Sequence, residues 1–355
     1  MNKNPFISSA GVWIPVNQNQ LSATFNGGIA FGFQGLIKIG NSSQYSLLVT
    51  GWNASGLDYS GQTIKVNVGL FTPNSTGDLV LSTTQHIGDP ITNGSGSVVI
   101  ADFDGDGLED IFLAAHSENP FLPAASTAYM QKKDGSFTKI ALSDQIVAHD
   151  AELVNINGIP MVATSTFNAT NEKLFASANP IYFYDGTTFK TLAPTESWYD
   201  IARKGDGSAT WLANGGMSTV VDKFKANGDS LIIRGDNSTY SNDWSKQLSM
   251  DIAVYSFGAT GQNSTIAVQR ITPYLSTLKQ YENYDSLWGK GITHVYRVWS
   301  EDFNHDGSKD LIAAQSMWNP VKSDWPNALQ FLRNDGTGTF YDQTAKLNSG
   351  MSLNT

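Results

Sequence analysis

Short stretches in which apolar and polar residues alternate recur along the chain and are separated by turn residues. One element joins such a strand to an Asp-Gly turn and then to a strand that carries Phe. It occurs as YMQKKDGSFTKIAL, IYFYDGTTFKTLA and FLRNDGTGTFYDQTA. Alternation with a period of two predicts strands with one buried face, and Asp-Gly between two strands predicts a hairpin. The pattern therefore predicts antiparallel sheets of short strands.

The same pattern repeats with a period of about 50 residues. The turn aspartates Asp134, Asp185 and Asp335 are separated by one period and by three periods. The stretch VVIADFDGDGLEDIFLAAHSENP at 98–120 also recurs, as VWSEDFNHDGSKDLIAAQSMWNP at 298–320. Each unit contains four short strands, and one sheet of that size cannot bury both of its faces alone. Stacking such sheets around an axis buries them, which favours a β-propeller.

We therefore predict an all-β fold, a seven-bladed β-propeller of four-stranded blades, with six or eight blades as alternatives. Six units that carry a hairpin lie between residues 33 and 343. N-terminal strands within 1–32 would pair with the C-terminal segment to close the last blade, and 33–355 would form the propeller. Residues 273–293 break the rhythm and are predicted to be an insertion. An open β-solenoid or a two-sheet sandwich is the structural alternative.

A dense acidic loop stands between two apolar strands of the stretch 98–120 and has the pattern D-x-D-G-D-G-x-x-D. Its like charges repel one another unless a cation lies among them. Oxygen donors at alternate positions are the ligand spacing of an EF-hand-like Ca²⁺ loop. Gly107 allows the positive φ that turns the chain around the ion. The predicted ligands are Asp102, Asp104, Asp106, the carbonyl of Leu108, and Asp110.

A second loop repeats this spacing. Its predicted ligands are Asp302, Asn304, Asp306, the carbonyl of Ser308, and Asp310. It has one carboxylate fewer, so weaker binding is expected, and His305 replaces a glycine and is expected to point to solvent. Calcium is favoured over Mg²⁺, which requires stricter octahedral geometry, and over zinc, which prefers Cys or His. The alternative is an Asx-rich turn without an ion, and we favour that interpretation for Asp206, which lacks neighbouring acids.

The segments ADFDGDGLEDIFLAA and EDFNHDGSKDLIAA resemble FG-GAP/VCBS repeats, the calcium-loop repeats of integrin-like β-propellers. The ending NDGTGTFYDQTAKL is similar to the blade endings of bacterial members. The resemblance extends over most of the chain in its period but is specific only in these two units. It implies a structural ion between the inner two strands of a blade. The other units lack the acids, so the resemblance implies no calcium there.

The segments that follow the second strand of each unit are expected to meet at the end of the propeller opposite the acidic loops. They lie at 51–62, 114–128, 165–180 and 316–328, and all are longer than a hairpin requires. Aromatic faces beside amides and carboxylates suit sugar rings, so a glycan site is predicted there. The alternative is local packing at the blade ends. The candidate ligand-binding residues are Trp52, Tyr59, His116, Asn119, Phe121, Trp318, Asn319 and Trp325.

Composition narrows the classes of function. The net charge of −10 and the pI of 4.9 disfavour nucleic acid and anionic membranes as partners. The chain has no Cys, which excludes disulfides and thiolate chemistry, and no apolar run long enough to insert into a membrane. No export signal is visible at the N-terminus. We nevertheless expect a secreted or cell-surface protein, and expect the chain to belong to a larger polypeptide or assembly.

Motifs of common enzymes are absent, since the chain has no G-x-S-x-G and no H-E-x-x-H. Some propeller polysaccharide lyases use His with Tyr, so His116 or His149 with Tyr59 or Tyr129 are catalytic candidates. The tripeptide Arg-Gly-Asp at 234–236 is expected in a turn.

The sequence favours a calcium-stabilised extracellular binding or adhesion module for a glycan or cell-surface protein. The alternatives are a polysaccharide lyase or hydrolase on the same scaffold, and a purely structural domain of a larger protein.

Overall fold

Antiparallel strands make up most of the described part of the chain, which confirms the all-β prediction. The structure is a computed structural model. It describes residues 5–7, 13–15, 31–52, 65–116, 123–156, 158–166, 180–191, 215–225, 230–237, 252–257, 266–278, 293–317 and 326–348.

The strands follow one another in short segments, as the alternating pattern predicts. They are β1 (Pro5–Ile7), β2 (Trp13–Pro15), β3 (Phe31–Lys38), β4 (Tyr45–Trp52), β5 (Val66–Asn67), β6 (Gly69–Pro73), β7 (Leu79–Leu81), β8 (Ile91–Thr92), β9 (Ser97–Ala101), β10 (Asp110–Ala114), β11 (Ala124–Gln131), β12 (Phe137–Ile146), β13 (Ala148–Ile156), β14 (Ile159–Thr166), β15 (Ile181–Tyr184), β16 (Phe189–Thr191), β17 (Gly215–Lys223), β18 (Ser230–Asn237), β19 (Ile252–Phe257), β20 (Ile266–Ile271), β21 (Thr293–Glu301), β22 (Asp310–Met317), β23 (Asn327–Asn334) and β24 (Phe340–Asp342). Three short helices are α1 (Thr83–His86), α2 (Tyr274–Thr277) and α3 (Thr344–Asn348).

The described residues form five four-stranded sheets, whose strands follow one another in sequence except that β5 is left out of the first sheet. In order they are β3-β4-β6-β7, β9-β10-β11-β12, β13-β14-β15-β16, β17-β18-β19-β20 and β21-β22-β23-β24, here called the first to fifth sheets. Two further pairs, β1-β2 and β5-β8, form two-stranded sheets. The predicted four-stranded unit is therefore confirmed within the described residues. The described N-terminal strands pair with each other, and the seven-bladed ring stays a prediction.

Three hairpins turn at the Asp-Gly pairs that the sequence singled out. Each joins the third and fourth strands of its sheet, in the second, third and fifth sheets. In each turn the aspartate Oδ1 accepts the backbone N–H two residues later, at 2.9 Å for Asp134, 2.9 Å for Asp185 and 2.8 Å for Asp335. The following glycine has a positive φ in all three turns. The local turn chemistry thus sets the register of these hairpins.

The chain divides into two compact units, of which the first comprises Met1–Leu153 and Phe183–Lys190. Its main core lies between the first and second sheets. The buried residues of this core are Ile37, Leu48, Val68, Leu70, Ile87, Ile111, Leu113, Tyr129 and Phe137. Gly35 lets the two sheets approach closely, because a Cβ there would lie 2.5 Å from Ile100 Cδ1. Burial of these apolar side chains is the principal stabilising term of the unit.

The second unit comprises Val154–Tyr182 and Thr191–Thr355. Its core lies between the fourth and fifth sheets and consists of Phe224, Ile252, Ile271, Val295, Val298, Leu311, Ala313, Leu332 and Phe340. Alternate residues of β22, Leu311 and Ala313, enter this core, as the period of two requires. In β21 the core residues Val295 and Val298 are three apart, because a bulge shifts the register between Val295 and Arg297. The fourth sheet comes from segments without acidic loops, FKANGDSLIIRG and YSFGATGQNSTIAVQRI, whose predicted hairpins are both present.

The Arg-Gly-Asp tripeptide and the start of the predicted insertion both lie in regular secondary structure. The Arg-Gly-Asp tripeptide lies within β18, paired with β17, and not in a turn as predicted. The predicted insertion begins at α2, which two buried glutamines hold against the fifth sheet. The backbone N–H of Tyr274 donates to Gln330 Oε1 and that of Leu275 donates to Gln315 Oε1, both at 3.2 Å.

Candidate metal centre and the opposite end of the sheets

The first acidic loop joins β9 to β10, the first and second strands of its sheet, as predicted. One carboxylate oxygen from each of Asp102, Asp104 and Asp106 lies within 4.8 Å of the others. The backbone folds around Asp102, whose Oδ1 accepts the N–H of Gly105 at 2.7 Å and whose Oδ2 accepts that of Gly107 at 2.9 Å. This places three acidic side chains around one point.

Two glycines make this loop possible. Gly105 has a φ of +80° and Gly107 a φ of +88°, in the left-handed region that side chains with a Cβ rarely adopt. The prediction that Gly107 takes a positive φ is therefore confirmed. The turn brings alternate residues to the same side, which is the condition for several oxygen donors to converge on one ion.

Asp110 is the last residue of the first loop, begins β10 and is fully buried. Its Oδ2 accepts the N–H of Phe103 at 3.0 Å, and its Oδ1 accepts that of Gln131 at 2.7 Å. Burial raises the pKa of Asp110 to about 7, against the two backbone hydrogen bonds and with the help of the neighbouring charges of Asp104 and Asp102. A nearby cation would relieve the cost of ionising this group.

The second loop, between β21 and β22, repeats most of the internal hydrogen bonds of the first loop. Asp302 accepts the N–H of Asp306 at 3.0 Å and that of Gly307 at 3.0 Å, and Asp306 Oδ1 accepts the N–H of Ser308 at 3.0 Å. His305 has a φ of +57° and is exposed, as predicted from its alignment with a glycine. The two loops therefore have a common backbone conformation, although one residue in the left-handed region is not glycine.

Asp310 gives an independent indication that the second loop suits a cation. The residue is fully buried, and its Oδ1 accepts the N–H of Asn334 at 2.9 Å. Its Oδ2 has no hydrogen-bond partner among the described residues. Burial raises the pKa of this carboxyl against the hydrogen bond from Asn334, and the charges of Asp306 and Asp302 add to the rise. The backbone N–H of Asn304 lowers the pKa slightly, but it forms no hydrogen bond with Oδ2. A buried oxygen in this state is costly unless a positive charge faces it.

The donor set fits a hard divalent cation. Every predicted ligand side chain in both loops offers oxygen, and none offers sulfur or imidazole nitrogen. Oxygen donors with several carboxylates are what Ca²⁺ prefers, and its flexible coordination tolerates the different charge of the two loops. Asp102, Asp104 and Asp106 could therefore hold a cation, which would neutralise their charges.

Two amide side chains that sequence reasoning missed attach the loops to the preceding sheet. Gln131 Nε2 donates to Glu109 O at 2.6 Å and to Lys38 O at 3.0 Å, in the first unit. In the second unit, Asn334 Nδ2 donates to Lys309 O at 2.9 Å and to Phe224 O, directly after the first strand of the preceding sheet, at 2.6 Å.

No sequence signal marks these two residues as equivalent. Gln131 stands three residues before its Asp-Gly turn and Asn334 only one residue before its own. They correspond through their hydrogen bonds to Asp110 and Asp310, which only the folded sheet makes visible.

Most predicted ligand-face residues lie outside the described residues, because the connections after the second strands are largely not described. These residues are Tyr59, Asn119, Phe121, Trp318, Asn319 and Trp325. Trp52, His116, His149 and Tyr129 are described. In the second sheet β10 runs from Asp110 at the acidic loop to Ala114, so His116 lies at the opposite end of that sheet, as the topological argument predicted.

Trp52, His116 and His149 form an aromatic cluster at this end of the first unit. The ring centroids of Trp52 and His116 are 5.0 Å apart in an edge-on arrangement, and those of His116 and His149 are also 5.0 Å apart. Trp52 is 5% exposed and His116 is 3% exposed. The start of β9 packs closely against them, since a Cβ on Gly96 would lie 2.9 Å from His116 Cβ. Trp52 and His116 are therefore packed in the interior at this end of the sheet.

Tyr129 occupies a different place from this cluster. It is fully buried in β11, and its hydroxyl donates to Asp89 O at 2.9 Å. Burial raises the pKa of Tyr129 above its usual range. A phenol held in this way is a structural hydrogen-bond donor rather than a proton acceptor at neutral pH.

Comparisons with known proteins identify no family. Neither a protein-family model nor a curated protein matches the sequence. Among solved structures, a GDP-Man-dependent mannosyltransferase from Leishmania mexicana aligns over 89% of this chain and 94% of its own, with 8% identity and a TM-score of 0.32. In the described part of the chain, every helix is too short or too polar to cross a bilayer.

Proposed function

We propose that the chain is a calcium-stabilised binding module in which both acidic loops hold Ca²⁺. The observation that carries this proposal is the buried Oδ2 of Asp310, which lacks a hydrogen-bond partner among the described residues and lies at the end of the second acidic loop. The matching backbone of the first loop, with its three clustered carboxylates, extends the proposal to Asp102, Asp104 and Asp106. The ions would act as structural links between strands and take no part in a reaction.

The five four-stranded sheets support a propeller scaffold for this module. We propose that they are blades of a seven-bladed ring, because a sheet with two apolar faces requires a neighbour on each side. A crystal structure with another blade number would contradict the ring while leaving the calcium proposal intact. We propose a secreted or cell-surface location, where calcium is abundant enough to fill even a weak loop of this kind.

The ligand of the module is proposed to be a glycan or a cell-surface protein at the end opposite the acidic loops. Support comes from the length of the connections at that end and from their aromatic residues beside amides, such as Trp318 and Asn319. Trp52, His116 and the half-buried His149 would hold the base of this surface in place. The net charge of −10 favours neutral or cationic partners over polyanions.

Removal of calcium tests the ion proposal. Chelation should lower the melting temperature, because an ion that binds only the folded state stabilises it by mass action. Readdition of CaCl₂ should restore the melting temperature, and equal MgCl₂ should do so less well. Asp104→Ala should lose most of this response, since it removes one of the three clustered carboxylates of the first loop.

Asp144→Ala is the matched control for this experiment, because Asp144 is an acid of β12 that lies outside both loops. Its response to chelation should equal that of the unaltered chain. A melting temperature that is the same in chelator and in calcium would refute the assignment of Ca²⁺ to these loops.

Binding to a glycan array tests the ligand proposal and separates it from catalysis. Binding should be lost in Trp318→Ala and retained in a folded His149→Asn variant, since the proposed contact is aromatic stacking on the loops. A lyase would instead release unsaturated sugars with new ultraviolet absorbance, and this activity would depend on His149. Such products would overturn the non-enzymatic proposal.

A further inference from the structure

The two acidic loops differ in the charge that faces their fifth position. In the second loop, Asp306 Oδ2 lies 3.3 Å from Arg333 Nη2 and 3.4 Å from Arg333 Nε, an ion pair on two guanidinium nitrogens. The same oxygen accepts Asn304 Nδ2 at 2.9 Å. Asp306 Oδ1 accepts the N–H of Ser308. Both oxygens of this ligand therefore already have donors from the protein.

The first loop has no such counter-charge within the described residues. The carboxylate of Asp106 accepts the N–H of Leu108 at 2.9 Å, and no ion pair to a Lys or Arg involves Asp102, Asp104 or Asp106 there. Among the described residues, therefore, only the second loop has an arginine paired with one of its acids.

The difference between the loops arises from one residue on the third strand of each sheet. Gln131 and Asn334 each donate their N–H to the buried acid of their loop, so they occupy equivalent places on the third strand of their sheets. The preceding residues are therefore equivalent too, and they are Met130 in the second sheet and Arg333 in the fifth. Met130 is buried and uncharged, whereas the side chain of Arg333 is 37% exposed and reaches the acidic loop.

We propose that Arg333 determines the calcium affinity of the second loop by competing with the ion for Asp306, a proposal that rests on calcium binding to both loops. Before Ca²⁺ can be held there, Asp306 must release the guanidinium, and the Asn304 amide must present its oxygen instead of its nitrogen. The first loop has no equivalent step. The chain therefore has one tight and one weak site, and the weak loop fills only when calcium is plentiful.

Calcium titration of the full chain, with the heat of binding measured by calorimetry, tests this proposal. The unaltered chain should give two affinity classes, and Asp104→Ala should remove the tighter one. Arg333→Met, which installs the residue of the equivalent place, should tighten the weaker class by about tenfold or more, the size expected when a unit charge a few ångströms away is removed. The tighter class should not change.

Two further variants separate charge from folding. Arg333→Lys keeps the positive charge and should leave the weaker class within about threefold of the unaltered chain, because a mobile ammonium still pairs with Asp306. Arg333→Gln is a second neutral variant that preserves polarity, and it should match Arg333→Met.

Equal affinities in the unaltered chain, or a weaker class that neither neutral variant tightens, would overturn the role of Arg333 while calcium binding itself stood. An absence of calcium heats in the unaltered chain and in every variant would instead refute the proposed function.

Discussion

At the scale of single residues, the ninth position of each acidic loop holds a buried carboxylic acid. Asp110 and Asp310 are fully buried, and both are hydrogen-bonded to the third strand of their own sheets. Their identity and spacing were evident in the sequence. Their burial was not, because a nine-residue acidic motif is expected to be solvated until a sheet packs over its last member.

The buried state of Asp110 predicts an unusual pH dependence for the calcium-free protein. Its folded pKa, about 7, lies above its ordinary value of 3.8, so the unfolded state loses this proton first as pH rises. The contribution of Asp110 to stability is therefore greatest at low pH and is lost as pH rises from about 4 to about 7. In chelator, lowering the pH from about 8 to about 5 should raise the melting temperature.

Asp110→Asn is the matched variant for this pH experiment, since the amide has nearly the same shape and no charge. Its melting temperature in chelator should depend less on pH over the same range. Calcium should also weaken the trend in the unaltered chain, because the ion favours the charged carboxylate. A melting temperature that falls on acidification in chelator, equally in both proteins, would contradict the assigned role.

At the scale of strands and turns, local sequence was a good guide. Alternation predicted the strands, and Asp-Gly pairs predicted the hairpins at Asp134, Asp185 and Asp335. The turn predicted at the Arg-Gly-Asp tripeptide is wrong, because β18 continues through it and pairs with β17 on both sides of the glycine. A single glycine between polar residues is compatible with a turn or with a strand, and here the pairing with β17 determines that a strand forms.

Close approach of elements at one end of the first unit predicts a strong effect of Gly96→Ala. A Cβ there would lie 2.1 Å from the backbone oxygen of Ala148 and 2.9 Å from His116 Cβ. The backbone of β13 must move to admit it, so the free energy of unfolding should fall by about 2 kcal/mol or more. Chemical denaturation in saturating calcium measures the change.

Gly88→Ala is the control for this substitution, because a Cβ at Gly88 meets no heavy atom within 4 Å. Its unfolding free energy should stay within about 0.5 kcal/mol of the unaltered chain. If Gly96→Ala were equally neutral, the close packing of β9 against His116 and Ala148 would be wrong.

At the scale of the whole molecule, the repeat of about 50 residues anticipated sheets of four strands, and five such sheets are present in the described residues. The packing of one sheet against another could not be predicted from the sequence in the same way. Within the first unit, Ile37, Leu48 and Ile111 meet across two sheets although they are far apart in sequence. Each is simply an apolar residue in an alternating strand, so its partner follows from the arrangement of sheets and not from its own segment.

The sequence by itself determined the all-β class, the hairpins and the spacing of the acidic ligands, because these depend on residues a few positions apart. Only the tertiary structure showed that Gln131 and Asn334 play equivalent parts, that Asp310 is buried with an unsatisfied oxygen, and that Arg333 reaches Asp306. Those relations join strands that are separated in sequence. They arise when sheets pack and exclude water, which changes what a charge costs and which side chain lies nearest to it.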